Sequence, residues 1–572
     1  MAAIRFRRAE AAFVALLLAC VGVTSARAEA PLRDEPVAWY ADDRRPLPEP
    51  VDARDPSLLW DYFDESIFRP LEYHLDPVRN VRRIVPGVEG DKEAPNVNRL
   101  GEVLNSSWFT NRIGLFPMTA EEVARGPNRQ RGPSKDGPWR IVAAKTEGVT
   151  PGFTIADATG QRYLIKFGPQ DYPVMPTAAG VISARLFHAI GYWVPEDDIT
   201  WFRRDDLVVD SDAEIDTEDG ERAMTAADVD AILERVEQLP DGRYRAISSK
   251  FLPGRPAGPF DYRGRRDDDP NDRVAHQHRR ELRGLKVFAE WVNHFDTKQQ
   301  NTLDILVETD EGTFVRHYLI DFASTLGTGA SAPIRKFGWE ATVDPWAFLR
   351  RTLTLGLVEE DYRQVERPEG LPEIGWFDVE HFTPRGFEPP MQNPAFMQLN
   401  PRDGYWAAKI LSAFTDAQLR AACEEGRYRD PRATETMARI LAGRRDRIVR
   451  AWFDVVAPLD FFRHVDGRVV YRDLGHERGI YLRTGTLGAP RYRSRVHAVD
   501  AERDAWREVD WVTSDVTEVA LDAPAVRDAP VDAYPFVHVA VQVDRGEGWS
   551  ESIHCWIARR SGRVVGVERE TH

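Results

Sequence analysis

The sequence predicts an α+β protein of several domains. A leading extension comes first, then a mixed body that is strand-rich in its first half and helical in its second, then a C-terminal all-β domain of sandwich type. Three observations carry this expectation. The chain has 572 residues, more than one ordinary core accommodates. Short strand-like runs bounded by turn residues cluster between Trp139 and Gly254, whereas helical spacing of apolar residues takes over from about residue 276. Alternating strand patterns return beyond about residue 466.

The first element is a targeting segment. Arg5, Arg7 and Arg8 precede the apolar run "AAFVALLLACVGV", which meets small residues at Ala26 and Ala28. A basic start, a short apolar stretch and an A-x-A end read as a secretory signal peptide over residues 1–28. The run is too short for a good membrane span, so the expected product is exported, periplasmic or extracellular, with no transmembrane span after cleavage. The alternative is that "LLAC" is a lipobox and Cys20 becomes a lipid-anchored N-terminus. The mature chain keeps Cys423 and Cys555, far apart in segments of different type, and they are expected as two free buried thiols. A net charge of −16 argues against a general nucleic-acid binder, which needs a basic face to displace counterions.

Residues 29–135 are rich in Pro, Asp and Arg but carry aromatic islands such as "LLWDYF" and "SSWFTNRIG", too apolar for a free tail. They read as an extension that docks on the body, with Trp108 and Phe109 as docking surface. The body opens with "RIVAAKTEG", "GFTIADA" and "RYLIKFG", three short strands, the last two joined by a turn at Thr159-Gly160. "TAAGVISARLFHAIG" follows as a helix with Val181, Leu186, Phe187 and Ile190 near helical spacing and Gly191 as its stop. "DITWFRRDDLVVD" reads as one strand, a short helix opens at Thr225, and "RYRAISSKFLPG" is a further strand. This strand-rich unit is assigned residues 136–262.

The second unit, residues 263–465, is expected to be mainly helical. Leu282, Leu285, Phe288 and Val292 form one apolar stripe, with Arg279, Arg280, Arg283 and Lys286 off it as a solvated face. After that helix, "LDILVE" and "FVRHYLIDF" flank the turn "TDEG" as a hairpin. Beyond about 340 the pattern is mostly helical, with Thr415 and Gln418 as a capping box and Asp430-Pro431 as an N-cap and first-turn proline. The last unit, 466–572, contains "FVHVAVQV", with Val537, Val539, Val541 and Val543 on one face, and a strand pair around Ser561-Gly562.

The chemistry-bearing stretch is "HFDTKQQN", His294 to Asn301, between the helix and the hairpin. A hairpin returns its two ends to one place. Asn301 at its start and Asp321 at its end should therefore lie together, with Asp296 beside them. Oxygen ligands of that kind suit a hard cation such as Mg²⁺, whose remaining sphere is filled by phosphate oxygens. Lys298 adds positive charge on the same loop, and His294 is read as a structural hydrogen-bonding residue.

His294-x-Asp296-x-Lys298-x-x-Asn301 followed by Asp321-Phe322 resembles the catalytic-loop and metal-loop pair of the protein-kinase-like fold, in its atypical, secreted and HipA-like branches. The resemblance spans about residues 139–455 and implies a two-lobed catalytic body, with residues 136–262 as N-lobe and 263–465 as C-lobe. By that likeness Asp296 orients or deprotonates an acceptor hydroxyl and Lys298 neutralises the transferring phosphoryl. Asn301 and Asp321 hold Mg²⁺, Lys166 pairs with the α/β-phosphates of ATP, and Gly148 and Gly152 of "EGVTPGF" stand in the loop over the phosphates. The implied activity is Mg²⁺-dependent transfer from a nucleotide to a hydroxyl of a protein or small molecule. The alternative is a pseudokinase acting as an extracytoplasmic binding or scaffold module. Two departures bear on that choice. Helix 177–191 has no Asp or Glu to pair with Lys166, with Gly180 near the expected position, so Asp321 is the alternative partner. The phosphate loop also has fewer glycines than the family's.

Overall fold

The computed structural model describes residues 30–49, 51–55, 58–75, 93–145, 151–217, 220–329, 332–358, 360–483 and 489–571. The signal segment 1–28, Cys20 and Gly148 lie outside the described residues. The chain is a mixed α+β protein with two large sheets and two small ones.

Strands β1 (Trp139–Ala144), β2 (Gly152–Ala156), β3 (Arg162–Lys166), β4 (Asp197–Phe202), β5 (Leu207–Thr217), β6 (Gly220–Ala223) and β7 (Tyr244–Lys250) form one sheet in the order β4-β7-β3-β2-β1-β5-β6. The β2–β3 turn closes through Asp157, whose Oδ1 accepts from the backbone of Thr159 at 2.9 Å and Gln161 at 3.0 Å, while Gly160 takes φ +83°. "DITWFRRDDLVVD" is not one strand. The 3₁₀ turn Arg204–Asp206 breaks it, and its halves, β4 and β5, go to distant places in the sheet. Asp206 makes that break by accepting from the Arg203 backbone at 2.6 Å.

Helix α1 (Met175–Ile190) connects β3 to β4 and packs on the sheet where Val181 meets Ile199 and Ile247. Gly191 ends it at φ +144°, against Phe109. A short helix, α2 (Ala226–Leu233), is capped by Thr225 and Asp228. The helices of the second half that pack together are α3 (Arg280–Val292), α4 (Pro401–Ser412), α5 (Asp416–Glu424) and α6 (Pro431–Phe453). They share one core with α1, in which Leu285, Phe288 and Trp291 meet Trp406, Leu441 and Ile448. Burying each such side chain contributes about 2 kcal/mol. Thr415–Gln418 and Asp430–Pro431 cap α5 and α6 as the spacing predicts. Among the described residues no helix is long and apolar enough to cross a membrane.

Two expectations for this half need correction. The arginines of α3 are not a solvated face. Arg279, Arg280 and Arg283 are all buried, and only Lys286 is half-exposed. The helix is enclosed on every side. Arg280 Nε lies 3.0 Å and Arg283 Nη1 3.3 Å from the Asp403 carboxylate, and Arg279 Nη2 is 2.9 Å from Asp272. The stretch between Leu353 and Pro401 is not helical either. Among its described residues only the 3₁₀ turns Asp361–Gln364 and Phe396–Gln398 are regular, because prolines recur at 368, 372, 384, 389, 390 and 394.

The extension is built into the body. Thr110 N donates to Gly191 O at 2.9 Å and Ile113 N to Ala189 O at 3.2 Å. Trp108 stacks on His317 with centroids 3.5 Å apart and lies under Arg279.

At the C-terminal end, β11 (Leu459–Val465), β12 (Arg468–Asp473) and β15 (Glu518–Ala520) form one antiparallel sheet. β13 (Arg491–Val499), β14 (Val512–Ser514), β16 (Phe536–Asp544), β17 (Ile553–Ala558) and β18 (Val564–Arg569) form another, in the order β14-β13-β16-β17-β18. Leu459 and Val469 of the first sheet share a core with Val539, Val541 and Cys555 of the second. The β11–β12 turn falls at residue 466, so β11 belongs with the strands that follow it rather than with the helices before it. Single-turn helices such as Leu474–Glu477 and Pro524–Arg527 interrupt the strands, so the region is not purely β. Cys423 and Cys555 are free and buried.

Candidate functional site

The second small sheet joins β8 (Arg255–Pro256) to the hairpin of β9 (Thr302–Thr309) and β10 (Gly312–Leu319), which pairs Thr302 with Leu319 at its open end. Asn301 precedes the first of these residues and Ile320-Asp321 follow the second. Ile320 N donates to Asn301 O at 3.0 Å, so the ladder closes one step further and sets Asn301 beside the approach to Asp321. Asp321 takes φ +58°, a left-handed conformation that Asp tolerates better than most residues. Lys166 Nζ, at the end of β3, lies 3.4 Å from Asp321 Oδ1. The next residue, Phe322, is buried against Phe187 of α1 with ring centroids 4.8 Å apart. That packing anchors the loop after β10 under the sheet that carries the lysine.

The electrostatics agree with this contact. The Lys166 charge, working against burial, holds the Asp321 carboxyl below its ordinary value. Burial disfavours the Lys166 ammonium, but the charges of Asp321 and Asp197 outweigh it and raise its pKa.

The loop between α3 and β9 begins with Asn293 at φ +51°, and His294 N donates back to Ala289 O at 2.7 Å. The His294 ring is wedged against Phe187 and Phe322. Burial pushes its pKa down to about 4, so it is neutral near pH 7; the ring packs there with Nδ1 buried and, among the described residues, without a hydrogen-bond partner, where the sequence reading makes it a hydrogen-bonding residue. Asp296 Oδ1 lies 3.1 Å from Lys298 Nζ, with both side chains partly exposed. Asn301 Nδ2 donates to Asp296 O at 2.7 Å, which leaves Oδ1 as the acceptor oxygen of that amide. The Asp321 carboxylate and the Asn301 amide oxygen are hard oxygen donors of the type that Mg²⁺ or a similar divalent cation takes. Among the described residues no group of three His, Cys, Asp or Glu side chains converges as a metal site, so a cation here would rely on non-protein ligands as well.

Two other expected positions are clear. Gly152 is the first residue of β2 and pairs with Lys166 across the sheet. A Cβ there would come within 2.3 Å of Ile165 O, so close strand approach by itself requires glycine at that position. Gly180 faces the sheet and the loop after β10 together: its Cβ would meet Ile247 Cδ1 at 3.0 Å and Ala323 N at 3.9 Å. Helix α1 therefore presents bare backbone where a lysine-pairing carboxylate was expected. Sequence reasoning missed Asp197, at the start of β4. Its only signal was that it opens β4 as one of two adjacent acidic residues, Asp197 and Asp198.

The extension also reaches this loop. Gln300 Nε2 donates to Asp61 Oδ2 at 3.2 Å, and Arg69 Nη2 lies 3.5 Å from Asp261.

No protein-family model matches the sequence, and no curated protein matches it either. Among solved structures, the chain is similar to the Golgi casein kinase with Mn/ADP bound, at 10% identity and a TM-score of 0.30, over 72% of this chain and 94% of that one. A second structure of the Golgi casein kinase is similar at 11% identity and a TM-score of 0.27, over 72% of this chain and 95% of that one.

Proposed function

We propose that the chain is a kinase-like phosphotransferase that moves a phosphoryl group from a nucleotide to a hydroxyl of a protein or small molecule. In this reading the seven-stranded sheet with α1 is one lobe and the helical core with hairpin β9–β10 the other. The C-terminal pair of sheets is an accessory unit fastened to α4, where Tyr405 donates to Asp460 of β11 at 2.8 Å. The single observation that carries the reading is the 3.4 Å contact between Lys166, at the end of a strand in one lobe, and Asp321, just past the hairpin of the other. A nucleotide whose phosphates lie between them meets an ammonium on one side and the oxygens of Asp321 and Asn301 on the other. The bound cation would neutralise phosphate charge. Asp296 orients the acceptor hydroxyl and takes its proton, and Lys298 steadies charge on the transferring group. Positioning and charge neutralisation supply most of the rate in such transfers. Gly152 and Gly148 are proposed to lie over the phosphates.

The preferred donor is ATP with Mg²⁺, and the protein is proposed to act after export, in the periplasm or outside the cell, as a free protein or anchored through Cys20. Melting of the full chain with ATP and other nucleotides, with and without Mg²⁺ or Mn²⁺, tests the reading. A metal-dependent upward shift is expected, of about 2–3 kcal/mol at a hundredfold excess over the dissociation constant. No shift with any nucleotide removes it.

A second reading, a pseudokinase that binds a partner as a scaffold, has one specific observation in its favour. Gly180 leaves Lys166 without a helix carboxylate. This reading predicts nucleotide binding without turnover, or neither.

A further inference from the structure

Lys166 has more company than Asp321. In the register of the sheet, Leu164 pairs with Ser249 of β7, and Ser249 pairs with Asp197 of β4. Side chains on paired residues share a face, and residues two apart along a strand share it too. Lys166, Leu164, Ser249 and Asp197 therefore lie on one face of the sheet, the face that α1 covers through Val181, Ile199 and Ile247. Asp197 is only 4% exposed, and its Oδ1 is buried without a hydrogen-bond partner. Ion pairs are the usual reason for a buried carboxylate. Its surroundings are held firmly. Asn128 Nδ2, from the extension, donates to Asp197 O at 2.9 Å, and Arg185 of α1 donates to Asn128 Oδ1.

We propose that Asp197 is the positioning carboxylate of Lys166: it stands in, from β4, for the acidic residue that α1 lacks at Gly180. The purpose given to it rests on the phosphotransferase reading above. The placement does not. Asp321 alone is a poor permanent partner for the lysine, because a divalent cation competes for the same carboxylate. When Asp321 turns to the cation, the free oxygen of Asp197 still offers an anionic group on the lysine's face of the sheet, and it keeps the ammonium aimed at the phosphates. Burial first, opposed by Lys166, Ser249 and Arg185, pushes the Asp197 pKa up to about 6, so it is ionised at neutral pH.

The amine itself reports this arrangement without any nucleotide. Lys166 is 15% exposed, enough for a small acylating reagent. Acetic anhydride labelling of the full chain across pH 7–11, read at Lys166 by mass spectrometry, compares wild type, Asp197→Asn and Asp321→Asn. Asp197→Asn is expected to lower the half-labelling point by about one pH unit, a roughly tenfold gain in reactivity at fixed pH. Asp321→Asn sets the scale for a direct partner. Asp197→Ser repeats the comparison should the amide misfold, with circular dichroism as the check on folding. In a second arm, the Mg²⁺-ATP concentration giving half the melting shift is expected to rise about tenfold in Asp197→Asn, and Asp197→Glu should recover part of the loss. Unchanged Lys166 labelling in folded Asp197→Asn and Asp197→Ser overturns the proposal. A wild-type protein blind to every nucleotide, with labelling still dependent on Asp197, overturns the phosphotransferase reading and leaves the pairing standing.

Discussion

Asp296→Ala removes one carboxylate from a loop whose shape does not depend on it. The Asp296 side chain pairs with Lys298 at 3.1 Å, and the two are 28% and 30% exposed. A pair so open to solvent is worth about 1 kcal/mol or less. The bond that shapes the loop, from Asn301 Nδ2, goes to the Asp296 backbone oxygen and survives the substitution. Urea unfolding should therefore move by no more than about 1 kcal/mol. A positioned general base typically contributes about 100- to 10,000-fold, so ADP formation from Mg²⁺-ATP should fall by that factor. Both readouts are needed: denaturation followed by fluorescence, and ADP release by the same preparation. Turnover unchanged in the variant refutes the assignment of Asp296. A stability loss above about 3 kcal/mol refutes the claim that its side chain is not structural.

Three further outcomes follow from the same geometry. Asp403→Asn weakens the carboxylate that Arg280 and Arg283 share in the core, and should destabilise the protein by about 3–5 kcal/mol in urea titrations; a loss below 1 kcal/mol contradicts that account. Gly191→Ala places a Cβ at φ +144° within 2.3 Å of the Phe109 ring, and should cost about 1–3 kcal/mol and speed proteolytic cleavage within residues 93–135; wild-type resistance contradicts it. Burial raises the Glu290 pKa from 4.5 to about 7, so the folded chain holds that proton longer than the unfolded chain. This contribution is fully present below pH 4.5, declines as pH rises toward 7 and then levels off, which at about 1.4 kcal/mol per unit amounts to about 3 kcal/mol. Glu290→Gln should flatten that part of the stability profile, and an unchanged profile contradicts the burial argument.

Local patterns carried much of the site and little of its surroundings. The hairpin was legible because alternation and the Thr309–Gly312 turn fix register, and register alone brings the neighbours of Asn301 and Asp321 together. The bare position at Gly180, and Asp321 as a partner for Lys166, were legible only through the family resemblance, which says which positions should face that lysine; no period within α1 or β3 announces either. The arginines of α3 were misread because their partners, Glu93, Asp272 and Asp403, come from other segments, and no periodicity within a helix announces them. β4 and β5 were read as one strand because the break at Arg204–Asp206 is made by a charged side chain rather than by Gly or Pro. Asp197 escaped notice because its relation to Lys166 runs across β7, a strand 47 residues further on at its start, so only the assembled sheet reveals it.

The most direct measurement is a crystal structure of the full chain with Mg²⁺ and a non-hydrolysable ATP analogue. The account predicts the triphosphate between Lys166 and the hairpin end, with the metal on oxygens of Asp321 and Asn301. A nucleotide bound elsewhere, or a metal that ignores both residues, contradicts it.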